Sequence, residues 1–90
     1  MKNAIITVVG KDKVGIISSV TNILAQRDVN ILDIWQTILD DMFTMMMLVD
    51  VEKSNQDFTS LSSSLKECGK DIGVEIRIQL EEIFQSMHRI

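Results

Sequence analysis

The chain has no proline, and one each of cysteine, histidine and tryptophan. Each shortage closes off a class of protein. Without proline or a Ser/Gly-rich tract nothing marks a linker, and 90 residues suit one domain. Cys68 alone forms no intramolecular disulfide and no multi-cysteine metal site. No apolar run nears the roughly 18–20 residues of a membrane span. The first residues are too short and β-branched a run for a signal peptide. Basic charge is scarce as well: 9 Lys and Arg against 13 Asp and Glu leave a net charge of −4. That balance argues against nucleic acid and against a polybasic membrane anchor. The expectation is a soluble, cytoplasmic protein with neither partner. A domain of this length buries roughly 60–65% of its unfolded surface, so its stability alone is modest.

What is present is hydrophobic patterning. Residues 4–9 form a nearly unbroken β-branched run, suited to a strand buried on both faces. Ile16, Ile17, Val20, Ile23 and Leu24 recur at helical spacing, predicting a helix to about Arg27. Alternation over 29–39 and 42–51, broken by Asp40 and Asp41, predicts a β-hairpin. In its first strand simple alternation puts Leu32, Ile34 and Ile38 on one face, and Ile31, Asp33, Trp35 and Thr37 on the other. In its second, Phe43, Met45, Met47, Val49 and Val51 oppose Thr44, Met46, Leu48 and Asp50. Ser54 or Asn55 is the expected cap of the next helix, with Asp57 in its first turn. Phe58, Leu61, Leu65, Cys68 and Ile72 form its stripe, and Gly73 suits its end. A half-buried strand follows over 74–80, and 81–90 reads as a short helix with Ile83, Phe84 and Met87 on its apolar side.

The order is strand, helix, strand, strand, helix, strand, then an extra helix. It defines an α+β, ferredoxin-like βαββαβ domain over 1–80 with a helical extension over 81–90. A four-stranded antiparallel sheet carries two helices on one face, with the first and third strands central. Their apolar centres leave the other face in need of a cover. A second copy of the chain and the C-terminal helix are both expected there, with Trp35, Met46 and Leu48 near the contact.

No catalytic set emerges, and neither a cofactor nor a metal is expected. Cys68 lies on an apolar helical stripe and reads as a packed core thiol. His88, beside Arg89, reads as a solvated terminal residue. Met45, Met46 and Met47 alternate in direction along a strand, so they do not converge on one ion. An RNA-recognition module would need aromatics on its central strands and a basic face. An acyl-phosphate hydrolase of this topology would need an arginine in the first loop, where Lys11 and Lys13 are weak substitutes.

That loop is the candidate site. Gly10, Lys11, Asp12, Lys13, Val14 and Gly15 join the first strand to a helix opening at Ile16. Glycines permit a tight turn or the close approach of another molecule. The helix's first-turn N–H groups attract a carboxylate or phosphate, and the two lysines add positive charge. The same loop also suits an ordinary strand-to-helix connection.

The loop, its flanking elements and the run Asp28, Val29, Asn30, Ile31 resemble the ACT domain, over residues 3 to about 80. The C-terminal run from Ile83 to Ile90 is similar to the tails of small stand-alone ACT proteins of unassigned function. Similarity extends to the ACT modules of the glycine-cleavage transcriptional repressor and of formyltetrahydrofolate deformylase. The resemblance implies a non-enzymatic regulatory module, homodimeric, that binds a small ligand, most often an amino acid, at a subunit interface. Carried over, Gly10 to Ile16 supply the loop, with Gly15 at the family's loop glycine, and Asn30 matches a side-chain contact. Asp12 stands where serine-sensing members have asparagine, and Val14 where proline is common. The alternatives are an interaction module with no small ligand and, more remotely, an acyl-phosphate hydrolase. A regulated enzyme or another regulator is the further partner such a module would serve.

Overall fold

A computed structural model describes residues 2–83. The elements are β1 (Asn3–Lys11), α1 (Ile16–Gln26), β2 (Asn30–Leu39), β3 (Met42–Asp50), α2 (Phe58–Ile72) and β4 (Val74–Leu80). Residues 81–83 make a helical turn. The rest of the expected C-terminal helix, with Phe84, Met87 and His88, lies outside the described residues.

The strands form one sheet in the order β2-β3-β1-β4, with every pairing antiparallel. The expected ferredoxin-like arrangement is therefore present, and β1 and β3 are central. Ala4, Ile6 and Val8 from β1 bury one face of the sheet together with Phe43, Met45, Met47 and Val49 from β3. Ile16, Val20 and Leu24 of α1 and Leu61, Leu65 and Cys68 of α2 close over them. Among the described residues no polar or charged residue is buried.

α2 shows how local chemistry sets element limits. Its cap is Asp57, whose Oδ1 accepts from the Ser60 N–H at 2.7 Å, rather than Ser54 or Asn55. Those two side chains are used one turn earlier. Ser54 Oγ accepts from Gln56 N–H, and Asn55 Nδ2 donates to the Gln26 carbonyl, tying the loop to the end of α1. The hydrogen bonds to Ser60 hold the Asp57 carboxyl below its ordinary pKa. At the other end Gly73 takes φ 78° and returns its N–H to the Gly69 carbonyl.

β2 departs from simple alternation. The pairing slips at Leu32: Ile31 faces Val49, yet Asp33 faces Leu48. This β-bulge moves Ile31 to the helix-side face with Ile34 and Ile38, and leaves Asp33, Trp35 and Thr37 on the opposite face. The assignment of Ile31 to the Trp35 face fails because a bulge inserts one residue and inverts everything before it.

Gly69 explains why α2 lies so close to β4. A Cβ there would stand 2.5 Å from the Val74 carbonyl oxygen, a backbone atom that cannot step aside. Gly69→Ala is therefore expected to lower stability by about 1–3 kcal/mol through overpacking, despite the roughly 1 kcal/mol helix preference for alanine. Urea unfolding checks the sign, and an equal or raised midpoint would show that α2 can move outward.

Candidate functional site

The first loop is shorter than its sequence suggests. Gly10 and Lys11 belong to β1, paired with Phe43 and Met42. Gly10 is needed because β4 crosses beside it: a Cβ there would meet Val74 Cγ1 at 2.6 Å. The connection proper is 12–15. Asp12 N–H donates to the Asp41 carbonyl at 2.6 Å, and Lys11 Nζ lies 3.8 Å from Asp41 Oδ2, so the loop leans on the β2–β3 hairpin. That ion pair is exposed and contributes little by itself.

Gly15 caps α1 in the left-handed region, φ 93°. A glycine carries no capping oxygen, and the first turn of α1 contains no acidic residue. The two helices thus differ: α2 has a first-turn donor, the Ser60 N–H, answered by the Asp57 side chain, while α1 has no side-chain cap. The positive charge expected from the lysines does not gather there. A Cβ at Gly73 would lie 2.8 Å from Lys13 Nζ, so that ammonium sits against the carbonyl end of α2, where the helix dipole favours it. Lys11 turns toward Asp41. What the loop offers an anion is backbone donors.

Asn30 stands at the far end of the sheet. It pairs with Asp50, which pairs with Asn3, whereas the loop adjoins Lys11 and Met42. Eight residue steps of β1 separate those ends, about 26 Å at ordinary strand rise. One protomer therefore does not bring Asn30 and the loop together. Around Asn30 is a shallow cavity of about 620 Å³ shared with Asp28, Val29, Asp50 and Lys53. Asp28 (φ 56°) accepts from Asn55 Nδ2 at 3.3 Å, and Asp50 Oδ1 accepts from Glu52 N–H at 3.0 Å. Asp50 and Lys53 were not singled out from the sequence. Only the β2–β3 register, which the bulge shifts, sets Asp50 beside Asn30.

The third group lies on the sheet face away from the helices. Trp35 faces Met46 across β2 and β3, Leu48 faces Ile5, and Leu39 faces Met42. Trp35 is 56% exposed and Leu39 75%, an apolar stripe open to solvent among the described residues. Cys68 lies apart from all three groups, within the core.

These features define a ferredoxin-like α+β domain with an open sheet face and a glycine-capped first helix. The profile of the ACT domain matches residues 2–79, and the chain belongs to that family. The family comprises regulatory modules whose members bind amino acids. The chain is 54% identical to a UPF0237 protein of Methanococcus maripaludis and 56% identical to one of Bifidobacterium longum, each over the full length of both chains. The structure of an ACT domain protein from Streptococcus pneumoniae superposes with a TM-score of 0.82 at 46% identity, covering 93% of this chain and 94% of that one. A formyltetrahydrofolate deformylase from Pseudomonas syringae shares the fold at TM-score 0.82 and 18% identity, with 89% of this chain on 28% of its own.

Burial, and secondarily the charge of Asp71, push the Cys68 thiol above its ordinary pKa. Its neutral form is favoured in the folded state. The resulting stability is full below the unfolded thiol's pKa and is lost as pH rises through the higher native value. In the native protein at pH 8, Cys68 is expected to react with an aromatic disulfide reagent far more slowly than after unfolding in guanidinium. Equal rates, followed by absorbance, would show an accessible thiolate.

Proposed function

We propose that the chain is a homodimeric ACT-type sensor. It binds an amino acid between the 12–15 loop of one protomer and Asn30 of its partner. The observation that supports this reading is the uncapped N-terminus of α1 behind Gly15. An α-carboxylate would accept from its backbone N–H groups, and the dipole adds to the attraction. The α-ammonium would meet Asp12 of the same loop and the side-chain oxygen of the partner's Asn30.

Two-fold symmetry reconciles the separated halves. An axis perpendicular to the strands near the middle of β2 reverses strand direction between copies. Each Asn30 then approaches the other protomer's hairpin, against which the first loop leans. Trp35 lies near the middle of β2 and would sit close to that axis. Trp35, Met46 and Leu48 would then be covered by the same residues of the other copy, which is what an isologous contact requires.

Two measurements test this reading. In a thermal-shift screen against the twenty amino acids, one ligand is expected to raise the midpoint by several degrees, from about 2.7 kcal/mol at a hundredfold excess over Kd. Gly15→Leu and Asn30→Ala should each abolish that response. Mixing the two variants and letting subunits exchange should restore about a quarter of the binding sites, because about half of the dimers are then mixed and one of the two sites in each is intact. Failure to complement would show that the two residues do not form a shared site across the subunit interface. A flat panel would favour an interaction module without a small ligand.

Trp35→Glu is expected to halve the mass seen by light scattering at micromolar concentration while leaving the far-ultraviolet dichroism unchanged. An unchanged dimer would move the interface away from this face, and a monomeric parent protein would remove it.

A further inference from the structure

The two edges of the sheet are unlike. β2 carries the bulge at Leu32, and Asp33 Oδ1 accepts its neighbour Ile34's N–H at 2.9 Å. Bulges and charges of this sort are what keep an edge strand from pairing freely. Asp40 and Asp41 stand at its hairpin end. β4 is regular, with seven residues paired to β1 in unbroken register. Among the described residues no strand lies beyond it.

Beside β4 runs a groove of about 560 Å³, bounded by α2. Its floor is Val74, Ile76 and Ile78, and its wall is Ser62, Lys66 and Lys70. Lys66 and Lys70 are four apart on α2 and share one flank. Glu67 and Asp71 line the opposite flank, toward α1. The nearest carboxylate on the β4 edge, Glu75, is held by Arg77 at 2.6 Å. Two lysines therefore face the groove without an ion-pair partner among the described residues, in a chain of net charge −4.

We propose that this groove docks an extended acidic segment of a partner protein, which adds to β4 as a fifth strand with alternate carboxylates facing Lys66 and Lys70. The backbone edge of β4 supplies the pairing groups, and side chains on one face of the added strand reach the α2 wall. The charge pattern selects the sign of the segment and opposes a basic one. The same pattern opposes docking on β2, where aspartates would meet the acidic chain. This site lies across the sheet from Trp35 and uses none of the residues of the amino-acid site, so it stands whether or not that site does.

The probe is a fluorescein-labelled octapeptide of alternating Glu and Val, with a Lys-Val octapeptide as its counterpart. Anisotropy titration of the full chain is expected to show saturable binding of the Glu peptide only. Amide shifts in nitrogen-edited spectra should concentrate in 62–70 and 74–80. The double variant Lys66→Glu and Lys70→Glu should weaken the Glu peptide at least about tenfold and bind the Lys peptide instead. N-methylation of alternate peptide amides should abolish binding in one register and spare it in the other, which depends on strand pairing and not on how any variant folds. Absent binding, equal binding of both peptides, shifts confined to 30–39, or indifference to N-methylation in both registers would each overturn the proposal.

Discussion

The rest of the molecule depends on one requirement: the helix-side face of β1 and β3 must be dry. Ala4, Ile6, Val8, Phe43, Met45, Met47 and Val49 are all buried there, and no polar group intrudes among the described residues. Burying such a face removes several large side chains from water at roughly 1.5–3 kcal/mol each, the main favourable term available to a domain this small. Two helices suffice to cover it, and the glycines mark where they fit tightly. Gly69 lets α2 approach β4, and Gly10 lets β4 cross beside β1.

The same requirement explains what is left uncovered. With both helices on one face, Ile5, Met46, Leu48 and Trp35 lie on the other, uncovered among the described residues. β2 lies outside the helices' cover, so nine of its ten residues are exposed, Ile34 and Ile38 among them. A regulatory domain gains from this economy. Its core is closed by its own helices, and the proposed second copy, small ligand and partner chain would each meet the outer surface. The proposed amino-acid site and the β4 groove fall on separate parts of that outer surface, so an input and an output can be occupied together.

Much of the fold was legible in the residues. The period-two alternation of 42–51 and the three-four spacing from Phe58 to Ile72 are strong signals, because each residue's partner lies close along the chain. The exceptions each have a cause. Asp57 caps the helix because Ser54 Oγ is already taken by the Gln56 N–H and Asn55 Nδ2 by the Gln26 carbonyl at the end of α1, nearly thirty positions away. Leu32 upsets the face assignment of β2 because a bulge leaves no mark in composition. Lys13 joins the C-terminus of α2 rather than the anion-attracting end of α1, a choice made by the close passage of the loop and Gly73.

By itself, then, the sequence determined the order of elements, the buried stripes and the family, since all of these rest on local periodicity and short motifs. Tertiary structure alone decided how the site residues relate. Pairing β1 antiparallel to β3 carries the first loop to one end of the sheet and Asn30 to the other. Gly15 and Asn30, fifteen positions apart in the chain, thus stand at opposite ends of the sheet. The reason is geometric: a strand of nine residues is a rigid spacer, and its length is invisible as a distance until the register of the sheet is known.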